Sequence, residues 1–135
     1  ILEPLKPTKN GIVRNRIEDL IDDYTNYLQG KTIGLVTNHT GITRFKETNY
    51  RVFKDNPDIS LTKIFAPEHG FFGEASAGAK VNYDGTEKYG IEIISLYGKQ
   101  RKPTPDMMKG LDIIIYDIQD VGARFYTYIS TLLVI

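Results

Sequence analysis

Residues 32–41 read TIGLVTNHTG. The first six form a short apolar run rich in β-branched residues, and a polar turn follows at once. A run without alternation points to a strand buried on both faces, the kind a parallel sheet contains. The same form recurs three times, as LTKIFA (61–66), IEIISL (91–96) and LDIIIYDI (111–118).

Helical signals fill the gaps between these runs. In NRIEDLIDDYTNYLQG (15–30), Ile17, Leu20, Ile21, Tyr24 and Leu28 share one helical face. Asn15 can cap that helix with Glu18 three residues on, and Gly30 can end it. A second helix is predicted over about 48–55, from Thr48 to the stop at Asn56-Pro57. TPDMMKG (104–110) carries a cap at Thr104, a proline at the first helical position and a glycine behind. A last helix is predicted to begin near Gly122 to Arg124. Pro4 and Pro7 keep the first 14 residues extended, and residues 67–90 read as one long loop. Strands alternating with helices predict an α/β fold: Rossmann-like, doubly wound, with a mainly parallel sheet of at least four strands and flanking helices.

Composition sets the outer limits. A chain of 135 residues, 41% hydrophobic, fits one modest domain with one core. Lysine plus arginine equals aspartate plus glutamate at 17 each, so no net field favours nucleic acid. No apolar run approaches the roughly 20 residues that a spanning helix needs, so no membrane insertion is expected. Cysteine is absent, which excludes disulfides, thiol nucleophiles and thiolate metal sites. The chain starts on Ile1 and stops on LLVI, which reads as a piece of a larger protein, with the domain over 1–135 incomplete.

In an open parallel sheet, ligands bind beyond the carboxyl ends of the strands. The segments leaving those ends are TNHTG (37–41), PEHGFFG (67–73), YGKQRKPTP (97–105) and DIQDVGARFYTY (117–128). They hold both histidines, several carboxylates and much of the glycine and tyrosine. Neither a G-x-G-x-x-G after the first strand nor a G-x-x-x-x-G-K-[ST] is present, so a dinucleotide or nucleotide cofactor is not expected. Glu68 and His69 form the sharpest pair. Phe65, Phe71 and Phe72 beside Glu68 would desolvate it and favour its protonated form, as an acid catalyst needs. The plainer reading is a loop glutamate in a salt bridge next to a histidine bonded to backbone. His39 and His69 lack the tight ligand spacing of a metal site, so no metal is expected. Asp117, Gln119, Asp120 and Arg124 form a second constellation. Arg124 can grip a carboxylate, or the group can be a surface ion pair. The aromatic residues at 125, 126 and 128 can stack on a sugar or serve as core.

The segments TNHTG, FAPEHGFFGEASAG, SLYG and PTPDMMKGLDIIIYDIQDVGARFYTYIST occur in order, from about residue 13 to 131. Together they resemble the N-terminal domain of the exo-β-N-acetylmuramidases of the NamZ type, formerly a domain of unknown function. The resemblance implies a glycosidase that removes N-acetylmuramic acid from the non-reducing end of peptidoglycan fragments. It implies a Rossmann-like catalytic domain with a smaller C-terminal partner domain, absent from these residues, in an exported bacterial protein, periplasmic or extracellular and in some cases lipid-anchored. It places the catalytic glutamate on Glu68 with His69 as neighbour. Asn38, Thr40, Gly70, Asp117, Gln119, Arg124 and Tyr126 would line the same cleft and meet a muramic-acid-containing saccharide. Relatives often carry proline or another residue at position 39, which weakens any role for His39. Two carboxyl groups usually flank a scissile glycosidic bond. Glu68 is the expected acid, Asp117 the expected second group, and Asp120 and Glu74 the weaker candidates. A non-catalytic peptidoglycan-binding module and a metal-dependent hydrolase are the competing classes.

Overall fold

The computed structural model describes residues 14–68, 70–72, 87–88, 90–98, 100–123 and 126–135. Helix α1 (Arg16–Leu28) leads into strand β1 (Thr32–Thr37), helix α2 (Asn49–Lys54) and strand β2 (Ser60–Ala66). Then come β3 (Glu87–Lys88), β4 (Ile91–Ser95), α3 (Pro105–Met108), β5 (Ile113–Asp117) and α4 (Tyr128–Leu133). The sheet order is β3-β4-β2-β1-β5. The pairs β1–β2, β1–β5 and β2–β4 are parallel, and only the two-residue β3 runs antiparallel, beside β4.

The apolar runs divide between two faces. Ile33 and Leu35 of β1, Ile64 and Ala66 of β2, and Ile91 and Ile93 of β4 pack with Ile17, Leu28, Tyr50 and Phe53 from α1 and α2. Val36, Phe65 and Ile94 point to the opposite face, where Met107 of α3, Leu111, Ile114 and Tyr116 meet them. A one-residue register shift opposite Ile33–Gly34 lets Leu61 and Ile64 share the first face, as a β-bulge does. Gly34 faces the second core. A Cβ there would stand 2.7 Å from Leu111 Cδ1 and 3.0 Å from Phe65 Cε2, so only glycine lets those side chains close over the strand. Lys63 reaches across this face and donates to Met107 O at 2.8 Å, tying α3 to the sheet.

The chain steps from β1 through α2 to β2, and on to β4. It then crosses the other face through α3 and returns to the far side of β1 as β5. Winding therefore reverses between β1 and β5. Crossovers leave that point on opposite faces, which opens a crevice above the carboxyl ends of those two strands.

Two local expectations are corrected. The final helix begins at Tyr128, not near 122–124. The Asp120 carboxylate accepts from Gly122 N at 2.8 Å, and Gly122 takes φ +67, so a turn occupies the place where helix was predicted. The segment 67–90 is not loop throughout, because Glu87 and Lys88 pair with β4. At the first helix the Glu18 carboxylate accepts from Asn15 N and from Arg44 N, while the Asn15 amide donates to Ile42 O. The start of α1 is thereby fastened to the loop after β1.

Candidate active site

The crevice at the reversal is built from the last residues of β1 and β5. Thr37 lies directly beside Asp117 in the parallel register. Thr37 Oγ1 donates to Asp117 O at 2.8 Å. Asn49, in the first turn of α2, turns its amide into the same point: Nδ2 donates to Thr37 Oγ1 at 2.7 Å and to Asp117 Oδ2 at 2.7 Å. Thr37 and Asn49 are buried, at 0% and 1% exposure. Polar groups so deep persist only when hydrogen-bonded, so this network fixes the Asp117 carboxyl in one orientation. Burial raises the Asp117 pKa above the ordinary carboxylate value, and the bond from Asn49 opposes the rise without cancelling it.

Gly41 closes the network from above, with Asn49 N donating to Gly41 O at 2.8 Å. A Cβ on Gly41 would lie 2.0 Å from Asn49 Nδ2 and 2.3 Å from Thr37 Oγ1. Gly41→Ala is expected to displace the Asn49 amide and to cost about 1–3 kcal/mol, the usual penalty for overpacking. Urea unfolding of wild type and variant side by side measures it.

A second group adjoins the first through Asn38. Asn38 is 2% exposed, and its Oδ1 accepts from Thr40 N at 2.9 Å and from Thr40 Oγ1 at 2.6 Å. Thr40 Oγ1 in turn accepts from Gln119 N at 2.9 Å, which stitches the loop after β1 to the loop after β5. Glu68, half-buried beyond β2, is reached by the Thr127 hydroxyl at 3.4 Å. Tyr128 sits next to these groups. Burial raises its pKa first, Tyr126, Glu68 and Asp120 add to the rise, and the nearby Asn38 side chain opposes it. Tyr116, whose hydroxyl donates to Tyr128 O at 2.6 Å, is pushed up to about 12, mainly by burial.

Most of the residues singled out in the sequence fall along this edge. Asn38, Thr40, Asp117 and Gln119 are joined by hydrogen bonds, directly or through Thr37. Gly70 is buried and takes φ +74 in the turn closed by its N–H on Pro67 O, a conformation suited to glycine. Tyr126 is half-exposed and packs edge-on against Tyr128 at 5.8 Å. His69, Arg124, Phe125 and Glu74 lie outside the described residues. Phe65 points into the second core, while Phe71 and Phe72 pack on the first face. Asn49 and Gly41 were not anticipated. Among the described residues no three His, Asp or Glu side chains converge as metal ligands, and no helix is long and apolar enough to cross a membrane.

Comparison with known proteins then fixes the lineage. Residues 33–135 match the family model described as exo-β-N-acetylmuramidase NamZ, N-terminal. The chain belongs to the NamZ N-terminal family. It is 49% identical over 124 residues to the peptidoglycan β-N-acetylmuramidase NamZ of Bacillus subtilis strain 168, an alignment covering 92% of this chain and 30% of that protein. Two DUF1343 family proteins of Bacteroides fragilis NCTC 9343 have similar crystal structures. One is 38% identical, with a TM-score of 0.78 over 90% of this chain and 30% of its own. The other is 34% identical, with a TM-score of 0.65 over 87% of this chain and 28% of its own. The chain thus spans about 30% of the length of these relatives.

Proposed function

We propose that these residues carry the catalytic centre of an exported glycosidase that releases N-acetylmuramic acid from the non-reducing end of peptidoglycan fragments. The observation that carries the reading is a pair of carboxyl residues on either side of β1: Glu68 after β2 and Asp117 at the end of β5. Neighbouring parallel strands stand about 4.8 Å apart, so β2 and β5, with β1 between them, are about 9.6 Å apart, close to the roughly 6.5–9.5 Å carboxyl separation of an inverting glycosidase. The named activity of the Bacillus subtilis relative supports the substrate class.

Glu68 acts as the general acid and protonates the leaving oxygen, with His69 beside it. Asp117 is the second group. Held by Asn49, it stabilises the developing oxocarbenium charge or activates water, according to the separation of the two carboxyls. Asn38, Thr40, Gly70 and Gln119 shape the cleft, and Tyr126 offers a ring face to the sugar. Arg124 adds a cation for substrate carboxylate. One observation favours exchanging the two acids: burial keeps a proton on Asp117 more readily than on an ordinary aspartate. A C-terminal partner domain completes the cleft.

The test is release of chromophore from a chromogenic N-acetylmuramide by the native full-length protein, with and without chelator. Release that survives the chelator supports the glycosidase. Release abolished by chelator and restored by metal supports a metal-dependent hydrolase. Tight sugar binding without release supports a binding module.

A further inference from the structure

The hydrogen bonds at the end of β5 have a direction, and Thr37 sets it. Its hydroxyl has one proton to give, and the acceptors in its reach are carbonyls, Asp117 O at 2.8 Å and Asn38 O at 3.3 Å. Towards Asn49, at 2.7 Å, Thr37 Oγ1 can therefore only accept. That obliges Asn49 to turn its NH2 group inward and not its carbonyl. The same group reaches Asp117 Oδ2 at 2.7 Å. The other end of the amide goes unsatisfied, because Asn49 Oδ1 is buried without a hydrogen-bond partner. An orphaned buried acceptor destabilises a fold, and a role in the chemistry is one reason to keep one.

Asp117 Oδ2 thus meets a group that can only donate. The hydroxyl oxygen of a carboxylic acid accepts more weakly than its carbonyl oxygen, so a proton taken up by Asp117 belongs on Oδ1. Oδ1 makes no hydrogen bond among the described residues, in a side chain that is half-buried, and is the oxygen left for substrate or water. The groups that hold the carboxyl, Thr37 of β1 and Asn49 of α2, are uncharged, and α1 packs on β5 through the first core. The titratable residues adjoining these three in the chain are His39, Tyr50, Arg51, Tyr116 and Asp120. Asp117 responds to burial and to Asn49 instead.

We propose that Asn49 is a positioning residue: aimed by Thr37, it engages Asp117 Oδ2 and makes Oδ1 the oxygen through which Asp117 exchanges a proton. This deepens the glycosidase reading, on which the role of that proton rests. The test is carbon NMR titration of the full-length protein labelled at aspartate Cγ, the Asp117 signal being the one lost in Asp117→Asn. The pH profile of muramide hydrolysis is measured beside it. Asn49→Leu keeps the volume and removes the donor. The Asp117 midpoint is expected to rise by about one pH unit, a roughly tenfold tighter hold on the proton, as loss of a bond to a charged group does. Thr37→Val frees the amide to turn and should move the midpoint the same way, while Thr37→Ser should keep the wild-type value. In the wild type the Asn49 side-chain N–H should stay hydrogen-bonded throughout the titration. A midpoint unmoved by Asn49→Leu and Thr37→Val overturns the proposal. So does a Thr37→Ser shift as large as that of Thr37→Val, or loss of the Asn49 bond when Asp117 takes up its proton. If Asn49→Leu does not fold, the two Thr37 variants decide. A kinetic limb that moves with the midpoint sustains both readings. A shifted midpoint with an unchanged pH profile sustains the hold of Asn49 on Asp117 and removes Asp117 from the glycosidase reaction.

Discussion

Glu68→Gln is expected to lower kcat on a muramide by about 10²–10⁴-fold while changing KM little, the range for a positioned proton donor. The amide has the shape of the acid and can still accept from the Thr127 hydroxyl, which reaches Glu68 Oε2 in the wild type. What it cannot do is give up a proton. The loss should therefore fall on the chemical step, not on binding. The pH profile then assigns the role. A general acid shapes the alkaline limb of kcat/KM, because rate falls once its proton is gone. If that limb flattens in Glu68→Gln, Glu68 is the donor. If the acidic limb flattens instead, Glu68 works as an anion and buried Asp117 is the donor. Near-normal turnover would remove Glu68 from the mechanism.

The four parallel strands were legible because each reads as an apolar run, β1 almost wholly buried and the outer β5 half-buried along its length. Their boundaries in the structure fall within two residues of those predicted. The edge strand β3 was not legible. Two residues, Glu87 and Lys88, carry no periodicity, and only their pairing with Ile91 and Glu92 defines them. The last helix was placed too early because periodicity cannot see the Asp120–Gly122 turn that delays it. At the site, the loops leaving the strands pointed to Asp117 and Gln119, and the family resemblance to Asn38, Thr40 and Gly70. Nothing local pointed to Asn49. Its partners, Thr37 and Asp117, lie 12 and 68 residues away and meet it only once β1, α2 and β5 are assembled. Gly41 was quoted within TNHTG but read as turn chemistry. Its purpose is the space it leaves for the Asn49 amide. Only Ala66 and Pro67 separate Phe65 from Glu68 in sequence, yet strand alternation sends the Phe65 ring to the face opposite Phe71 and Phe72.

Asp117→Asn should move activity and stability in opposite directions. Activity is expected to fall about 10²–10⁴-fold, because an amide can neither carry the charge nor exchange the proton that the second group must. Folding stability should rise near neutral pH. The folded protein raises the Asp117 pKa, chiefly by burial. Below the ordinary carboxylate pKa, near 3.9, both folded and unfolded chains hold the proton, and ionisation of Asp117 costs the fold nothing. As pH climbs from there through the raised folded value, the unfolded chain releases its proton first, so native stability falls across that window and stays lowered above it. The asparagine variant has no such proton to lose, and its Oδ1 can still accept from Asn49 Nδ2. Urea midpoints for the two proteins should thus coincide near pH 3 and diverge towards pH 7, the variant being the more stable. Gain of stability with loss of activity is the signature of a group kept strained for function. A variant that is less stable than wild type by the same margin at every pH would make Asp117 a structural anchor for Asn49 and leave the reaction without its second carboxyl.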